Sequence, residues 1–434
     1  MGNIFESDPL NYSYHPPIKD EIVLMAGRPN YDTKGLDSNL CELVNYCGCN
    51  AIGTIISLND LSNSLNNCQS SNLKLFLYNG AILAPKTTSS IVKTYAELEG
   101  MGGWILDFNA RNDFQSDNNP GETIYNIKEA VKEIHSLYDE SDNGFHRLPI
   151  FIGISGDWIY DRRYQMFNSY PSYVADFQSY FQPSLWPVCY FPDLLPTDKS
   201  KIEKEAKKRR LIFYISLEYF SAISKYTGVP FWFYCRCQGI KLHHSYTAPS
   251  PSIHMMRGII FTSLAYGAQG IYYWNFRQSN SENYYDAPLN VTGQKTTTYN
   301  MIQQINQEVK TFNKVFFGCK MVECRHVTSD SGNNWLKVME HPIGPLMYFN
   351  QFYATSPEVL VSHIVNEGNN YLVIVASPFA DESTSQNIMM RFNEYWNLYY
   401  LFRDAAGKIV EIKQNTPFYA CTLAPGDYLI FRWE

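Results

Sequence analysis

Residues 231–235 read Phe-Trp-Phe-Tyr-Cys, and residues 270–276 read Gly-Ile-Tyr-Tyr-Trp-Asn-Phe. Both runs are apolar at odd and even positions alike, the pattern of strands buried on two faces in a helix-covered parallel sheet. Between them, Gly239 to Ser250 is polar and turn-like, and Ser250-Pro251 reads as an N-cap followed by proline at the first helical position. Ile253, Met256, Ile260 and Leu264 then recur at helical spacing, and the helix is expected to stop near Gly267. Strand, helix, strand makes a βαβ unit, whose crossover is right-handed in nearly all proteins. The second strand ends in Trp274 and Asn275, an aromatic face beside an amide.

The same alternation extends back through the chain. Apolar runs stand at 22–26, 50–56, 73–78, 103–108, 148–154 and 186–191, with Pro187 interrupting the sixth. Helical patterns lie between them. One carries Ile124, Ile127, Val131 and Ile134 on a single face; another spans 201–226; a last one carries Ile302, Ile305, Val309 and Phe312. Eight βα units in about 300 residues predict an α/β fold of the (β/α)8 TIM-barrel type. A doubly wound open sheet is the alternative, but the chain has neither GxGxxG nor a P-loop. After Phe317 the runs become short and strand-like, at 321–327, 335–339, 359–364, 371–376, 387–392, 398–403, 409–412 and 428–433. Turn signals separate them, among them Asn366-Glu-Gly-Asn, Asp404-Ala-Ala-Gly and Ala424-Pro-Gly-Asp. A C-terminal antiparallel β-sandwich follows. The expected domains are therefore 1–315, the barrel, and 316–434, the sandwich.

Composition bounds the function. With 434 residues, two domains are the prior. Hydrophobic residues at 45% and charged residues at 18% indicate a foldable globular chain. A net charge of −7 argues against nucleic acid as partner, and the basic run Lys204 to Arg210 reads as a solvated helix face. No apolar run of about 20 residues predicts a membrane span. The segment Met1 to Lys19 is polar, bears prolines and has no signal-peptide core. Localisation is left open, with a periplasmic or extracellular place expected if a signal segment has been removed. Aromatic residues make up 15% of the chain, which fits either a large core or a sugar site, because pyranose faces stack on rings. Ten cysteines include no CxxC pair; Cys47 with Cys49 and Cys235 with Cys237 lack zinc-ligand spacing, and most thiols are expected to be buried small hydrophobes. No cofactor signature is present, and none is expected.

The stretch Ser263-Leu-Ala-Tyr-Gly-Ala-Gln-Gly-Ile-Tyr-Tyr-Trp-Asn-Phe276 resembles the last helix and strand of clan A glycoside hydrolases, in particular the family 42 β-galactosidase-like barrels and their bacterial relatives. Asp286-Ala-Pro-Leu-Asn, then Gly293-Gln-Lys-Thr-Thr-Thr-Tyr299, resembles the loop and helix that follow there, and Leu423-Ala-Pro-Gly-Asp-Tyr428 the last hairpin of the accessory sandwich. The layout is similar over most of the chain, and the motifs are specific over about residues 255 to 306. The resemblance implies a glycoside hydrolase-like barrel acting on a β-linked oligosaccharide or polysaccharide. Fold does not fix chemistry, however.

Barrel active sites lie at the C-terminal ends of the strands. The residues expected there include Arg28, Asn30, Ser57, Asn59, Tyr78 and Asn79, then Asp107, Asn109, Asp157, Trp158, Tyr190 and Asp193, and finally Arg236, Gln238, Trp274 and Asn275. Amides, carboxylates and rings make the palette of a carbohydrate site. Asn79, Asn109, Trp158, Tyr190, Arg236, Trp274 and Asn275 are the candidate substrate-binding residues. Retaining glycosidases use two carboxyls about 5–5.5 Å apart. The resemblance places them as glutamates ending strands four and seven, and here the chain departs from it. Strand four ends Ile105-Leu-Asp107-Phe-Asn109, and strand seven ends Cys235-Arg-Cys-Gln238 without a carboxylate. Either another carboxylate set works, drawn from Asp107, Asp157 and Asp193, or the barrel binds glycan without cleaving it. Asp107 follows the dry strand Trp104-Ile105-Leu106, so burial would raise its pKa toward an acid/base value, whereas pairing with Arg236 would hold it ionised as a nucleophile. His243-His244 reads as a surface loop pair rather than metal ligands. A third option is an amidase using Cys235 or Cys237 with a histidine.

Overall fold

Strand β1 (Val23–Gly27) sits between two parallel partners: β2 (Ala51–Thr54) on one side and β8 (Gly270–Trp274) on the other. That second pairing joins the first strand of the unit to the last. The computed structural model describes residues 18–30, 34–78, 94–95, 98–106, 148–152, 154–155, 184–189, 195–196, 198–228, 230–242, 246–327, 349–354, 359–379, 385–392 and 397–434. From β2 the ladder continues through β3 (Lys74–Tyr78), β4 (Met101–Leu106), β5 (Ile150–Ile152), β6 (Ser184–Cys189) and β7 (Phe231–Arg236) to β8, every step parallel. Ile154–Ser155 extends β5 along β6. Eight strands therefore close on themselves, a TIM barrel rather than an open sheet. Pro187 is accommodated inside β6, which begins at Ser184, two residues before the expected run.

The doubly apolar strands follow from this closure. On β7, Trp232 and Tyr234 join Val23, Met25, Ala51, Phe76, Ile105 and Tyr272 in the barrel interior. The alternate positions meet helix α3 (Lys199–Thr227), with Phe233 edge-on to Phe213 at 5.7 Å and Phe231 near Phe220 at 6.5 Å. Helix α1 (Ser38–Tyr46) is capped by Asp37, whose carboxylate accepts from Leu40 N at 2.8 Å, and α2 (Leu58–Ser70) follows β2. Helix α4 (Ile253–Ala265) begins two residues later than expected. Ser252 is the cap, accepting from Met255 N at 3.2 Å, while the hydroxyl of Ser250 is bonded to Asp286. Gly267, at φ +95°, takes the left-handed conformation just past the helix end. Helix α5 (Thr297–Thr311) buries Ile302, Ile305 and Val309, and α6 (Asn313–Phe316) is a single turn.

By contact the chain forms two units, Met1–Ser250 with Gly270–Asn300 and Pro251–Gln269 with Met301–Glu434. We retain the division at 315/316 as a proposal. The second unit holds an antiparallel β-sandwich. Its six-stranded sheet has the order β9 (Lys320–Val327), β11 (Val359–Asn366), β12 (Asn369–Ala376), β17 (Tyr428–Trp433), β14 (Leu398–Arg403), β15 (Ile409–Lys413). A three-stranded sheet has the order β10 (Phe349–Ala354), β13 (Gln386–Phe392), β16 (Phe418–Leu423). Val361, Ile374 and Phe431 of one sheet pack with Ile388, Met390 and Leu423 of the other. Two of these strands, β10 and β16, are absent from the sequence reading. In β16 only Leu423 is fully buried, with Tyr419 and Cys421 packed in part against the same core. Glu367 and Gly368, both at positive φ, make the β11–β12 turn, and Gly407 closes the β14–β15 hairpin. The 335–339 run and the helix of Ile124 and Val131 lie outside the described residues.

Candidate functional site

The barrel interior is an aromatic ladder that rises to the C-terminal ends of β7 and β8. At its foot Trp232 meets Phe76 edge-on at 5.5 Å. Above it Tyr234 and Tyr272, paired in register, lie with ring centroids 4.4 Å apart. Above those, Trp274 stands 6.2 Å from Tyr234 and is partly open to solvent. Glycines make room for these rings. A Cβ at Gly270 would lie 2.5 Å from the Trp232 indole, and one at Gly27 2.5 Å from the Tyr272 ring.

A small antiparallel sheet borders the ladder. Its strands are Tyr284–Tyr285, Gly239–Leu242, Tyr246–Ala248 and Leu195–Pro196, in that order. Tyr284 meets Trp274 edge to face at 5.9 Å and 88°, and Ile240 and Ala248 complete the cluster. Tyr285 fixes the sheet by donating its hydroxyl to Ala248 O at 3.0 Å. Trp274 is thus held by ring contacts on two sides while part of its surface stays accessible.

Polar groups follow each strand end. Arg236 is buried; its Nη1 donates to Gln238 O and, at 3.0 Å, to Pro249 O, so this cation shapes the turn after β7. Cys237 ties β7 to β8: its amide donates to Trp274 O at 3.1 Å and its thiol to Asn275 O at 3.2 Å. Burial pushes the Cys237 thiol well above its ordinary range. A protonated thiol that already donates to a carbonyl is a poor nucleophile, which argues against the thiol-amidase option. Asn275 follows a cis peptide and is 7% exposed, with Oδ1 lacking a partner. Gln238 is fully buried, and neither its Oε1 nor its Nε2 has a partner.

At the ends of β1 and β2, Asn30 and Ser57 are engaged by neighbouring groups of the chain. The amide of Asn30 donates to Lys34 O at 2.7 Å and Ile55 O at 3.2 Å and accepts from Thr54, which ties these two rims together. Ser57 precedes α2 and bonds Asp60 at 2.7 Å, while Asn59 is an exposed residue of that helix. Of the candidate substrate-binding residues, Arg236, Trp274 and Asn275 come together on adjacent strand ends. Asn79, Asn109, Trp158 and Tyr190 lie outside the described residues, as do the candidate carboxylates Asp107, Asp157 and Asp193, and also His243 and His244.

No family model and no curated protein matches the sequence. Solved structures match over nearly the whole chain. A catalytic mutant of a GH42 β-galactosidase from G. stearothermophilus aligns with a TM-score of 0.55 at 8% identity, covering 95% of this chain and 98% of that one. A maltogenic α-amylase from Thermotoga neapolitana aligns with a TM-score of 0.51 at 8% identity, covering 96% and 99%. The chain shares with both a TIM barrel followed by a β-sandwich. At this identity the likeness concerns architecture alone. Among the described residues no group of three or more His, Cys, Asp or Glu is arranged to hold a metal ion, and no helix is long and apolar enough to cross a membrane.

Two contributors to the site escaped the sequence reading. Tyr284 carried no signal, because its approach to Trp274 depends on the small sheet. Gln238 was visible as a strand-end amide, but its burial was not.

Proposed function

We propose that this protein binds a β-linked oligosaccharide at the C-terminal mouth of its barrel and hydrolyses it with carboxylates drawn from Asp107, Asp157 and Asp193. The observation that carries the reading is Trp274: a half-open indole held by Tyr234 and Tyr284, beside the buried amide of Asn275. A ring that stacks on a sugar face, next to groups that bond its hydroxyls, is what carbohydrate recognition requires. The barrel fold, shared with glycosidases of differing substrates, supports the class and leaves the sugar open. Asn79, Asn109, Trp158, Tyr190 and Arg236 complete the proposed binding set.

One observation favours a second reading, binding without hydrolysis. The end of β7 is Arg236-Cys237-Gln238, which carries no carboxylate. One experiment separates the two. A panel of aryl β-glycosides and β-linked oligosaccharides is tested for hydrolysis and, by calorimetry, for binding. Hydrolysis is expected, with Asp107→Asn lowering kcat by about 10²–10⁴-fold. Trp274→Ala is expected to weaken binding about tenfold or more. Binding without turnover selects the second reading, and neither binding nor turnover sinks both.

A further inference from the structure

We propose that Cys41 and Cys68 are a redox-sensitive staple, joined as a disulfide between helices α1 and α2 when the chain folds under oxidising conditions. The inference is independent of the glycan reading. Cys41 lies on α1 and Cys68 on α2; both are 0% exposed, and their sulfurs stand 3.9 Å apart with a thiol hydrogen bond between them. Other groups pin the two helices together. Leu36, just before the Asp37 cap of α1, donates its amide to Ser64 Oγ at 2.9 Å, and its carbonyl accepts from Asn67 Nδ2 at 2.8 Å. Both partners belong to α2, Ser64 one turn before Cys68 and Asn67 next to it. These bonds fix the register of the two helices independently of the thiols. A disulfide holds its sulfurs about 2.05 Å apart, so the pair must close by about 2 Å, a movement on the scale of side-chain torsions.

Burial decides when the bond forms. The attacking species in disulfide chemistry is the thiolate. In the folded protein the hydrogen bond with Cys41, together with burial, holds the Cys68 thiol far above its ordinary range, and neither residue is exposed. The reduced pair is therefore inert once α1 and α2 have packed, and a bond already formed is shielded from reductants in the same way. Oxidation belongs to the stage at which the helices are apart. The oxidant is a small-molecule disulfide of the glutathione type. One cysteine thiolate attacks a sulfur of that reagent and expels its other half; the second cysteine attacks the mixed disulfide at the protein sulfur and expels the remaining half. The two cysteines give up two protons and two electrons, and the reagent leaves as two thiols. The cross-link spans 27 positions and encloses all of β2, which restricts the unfolded chain and so stabilises the folded one. Cys47 and Cys49 also touch through their thiols, but they stand two residues apart, so a bond there constrains the unfolded chain little.

The experiment refolds the full chain from urea in a mixture of glutathione disulfide and glutathione, or in excess dithiothreitol. Thiols are then counted, linked peptides are mapped by mass, and Tm is recorded after the small thiols are removed. Refolding in the glutathione mixture is expected to give a peptide linking Cys41 to Cys68 and a Tm a few degrees above that of the dithiothreitol sample. The folded, reduced protein held in the same mixture is expected to form the link about tenfold more slowly, or slower still. Cys41→Ser and Cys68→Ser are each expected to remove both the link and the Tm difference. The inference is overturned if no Cys41–Cys68 peptide forms, if Cys47 and Cys49 are oxidised in its place, or if the linked protein melts no higher than the reduced one. Oxidation of the folded protein as fast as that of the refolding chain overturns it too. Should the chain not refold from urea, it is exported to an oxidising bacterial periplasm and mapped directly beside the two serine variants, and absence of the linked peptide there overturns the inference.

Discussion

At His363, burial and hydrogen bonding pull in opposite directions. The imidazole is 7% exposed on β11, packed 4.9 Å from the Trp433 ring, with Nε2 3.1 Å from Asn370 Oδ1. Burial lowers its pKa, while the Asn370 bond and the charge of Glu323 oppose that shift, and burial prevails. A depressed folded pKa means that the unfolded chain takes up the proton first as pH falls. The stability contributed here is therefore complete above the unfolded value of about 6.5 and is lost as pH drops from there toward the lower folded value. Urea unfolding between pH 7.5 and pH 5 is expected to show this decline, and His363→Gln, which stays neutral, is expected to flatten it. An unchanged slope in the variant would place the titrating group elsewhere. Gln238 makes a related point. The identity of the residue was plain in the chain, whereas its lack of any partner exists only in the folded molecule.

Among the elements, the strands of the barrel are matched to their neighbours by volume. Gly53 on β2 lies opposite the Tyr272 ring of the ladder, and a Cβ there would fall 2.5 Å from Met25 Sδ, 2.8 Å from Tyr272 Cε2 and 2.9 Å from Ile105 Cδ1. The ends of the methionine and isoleucine can swing aside, but the tyrosine ring is fixed by Tyr234. Gly53→Ala is expected to destabilise by about 1–3 kcal/mol, measured by chemical denaturation. A cost near zero would show that the ladder yields. The apolar runs at 231–235 and 270–276 were legible as strands because every position except Trp274 is buried. The β16 strand was not: Tyr419, Cys421 and Leu423 alternate toward the core, but Phe418 and Ala420 on the outer face leave the run without a clean apolar–polar alternation.

On the scale of the molecule, order along the chain and grouping in space part company. Helix α4 connects β7 to β8, yet it belongs by contact with the C-terminal unit. There Phe261 stacks on Tyr428 at 3.6 Å, and Ser362 donates to Ala265 O at 2.6 Å. Arg257 grips Glu308 of α5 through two bonds of 3.0 and 3.1 Å and reaches Asp427, just before β17, at 3.4 Å. Arg257→Ala leaves the buried Glu308 without its cation. We expect a loss on the order of 2–3 kcal/mol in this unit, allowing for partial exposure; a loss below about 0.5 kcal/mol would put the pair with weak surface bridges. The sequence alone determined the alternation of eight strands with helices, the turns at Gly368, Gly407 and Gly426, and the aromatic and amide character of the strand ends. These are local: each is decided by residues within a few positions of one another. Tertiary structure decided the rest. The β1–β8 ladder joins residues about 250 positions apart, the small sheet carries Tyr284 to Trp274, α4 sides with the sandwich, and Gln238 is sealed from water. Each depends on surfaces meeting across long stretches of chain, and no short window of sequence contains both partners.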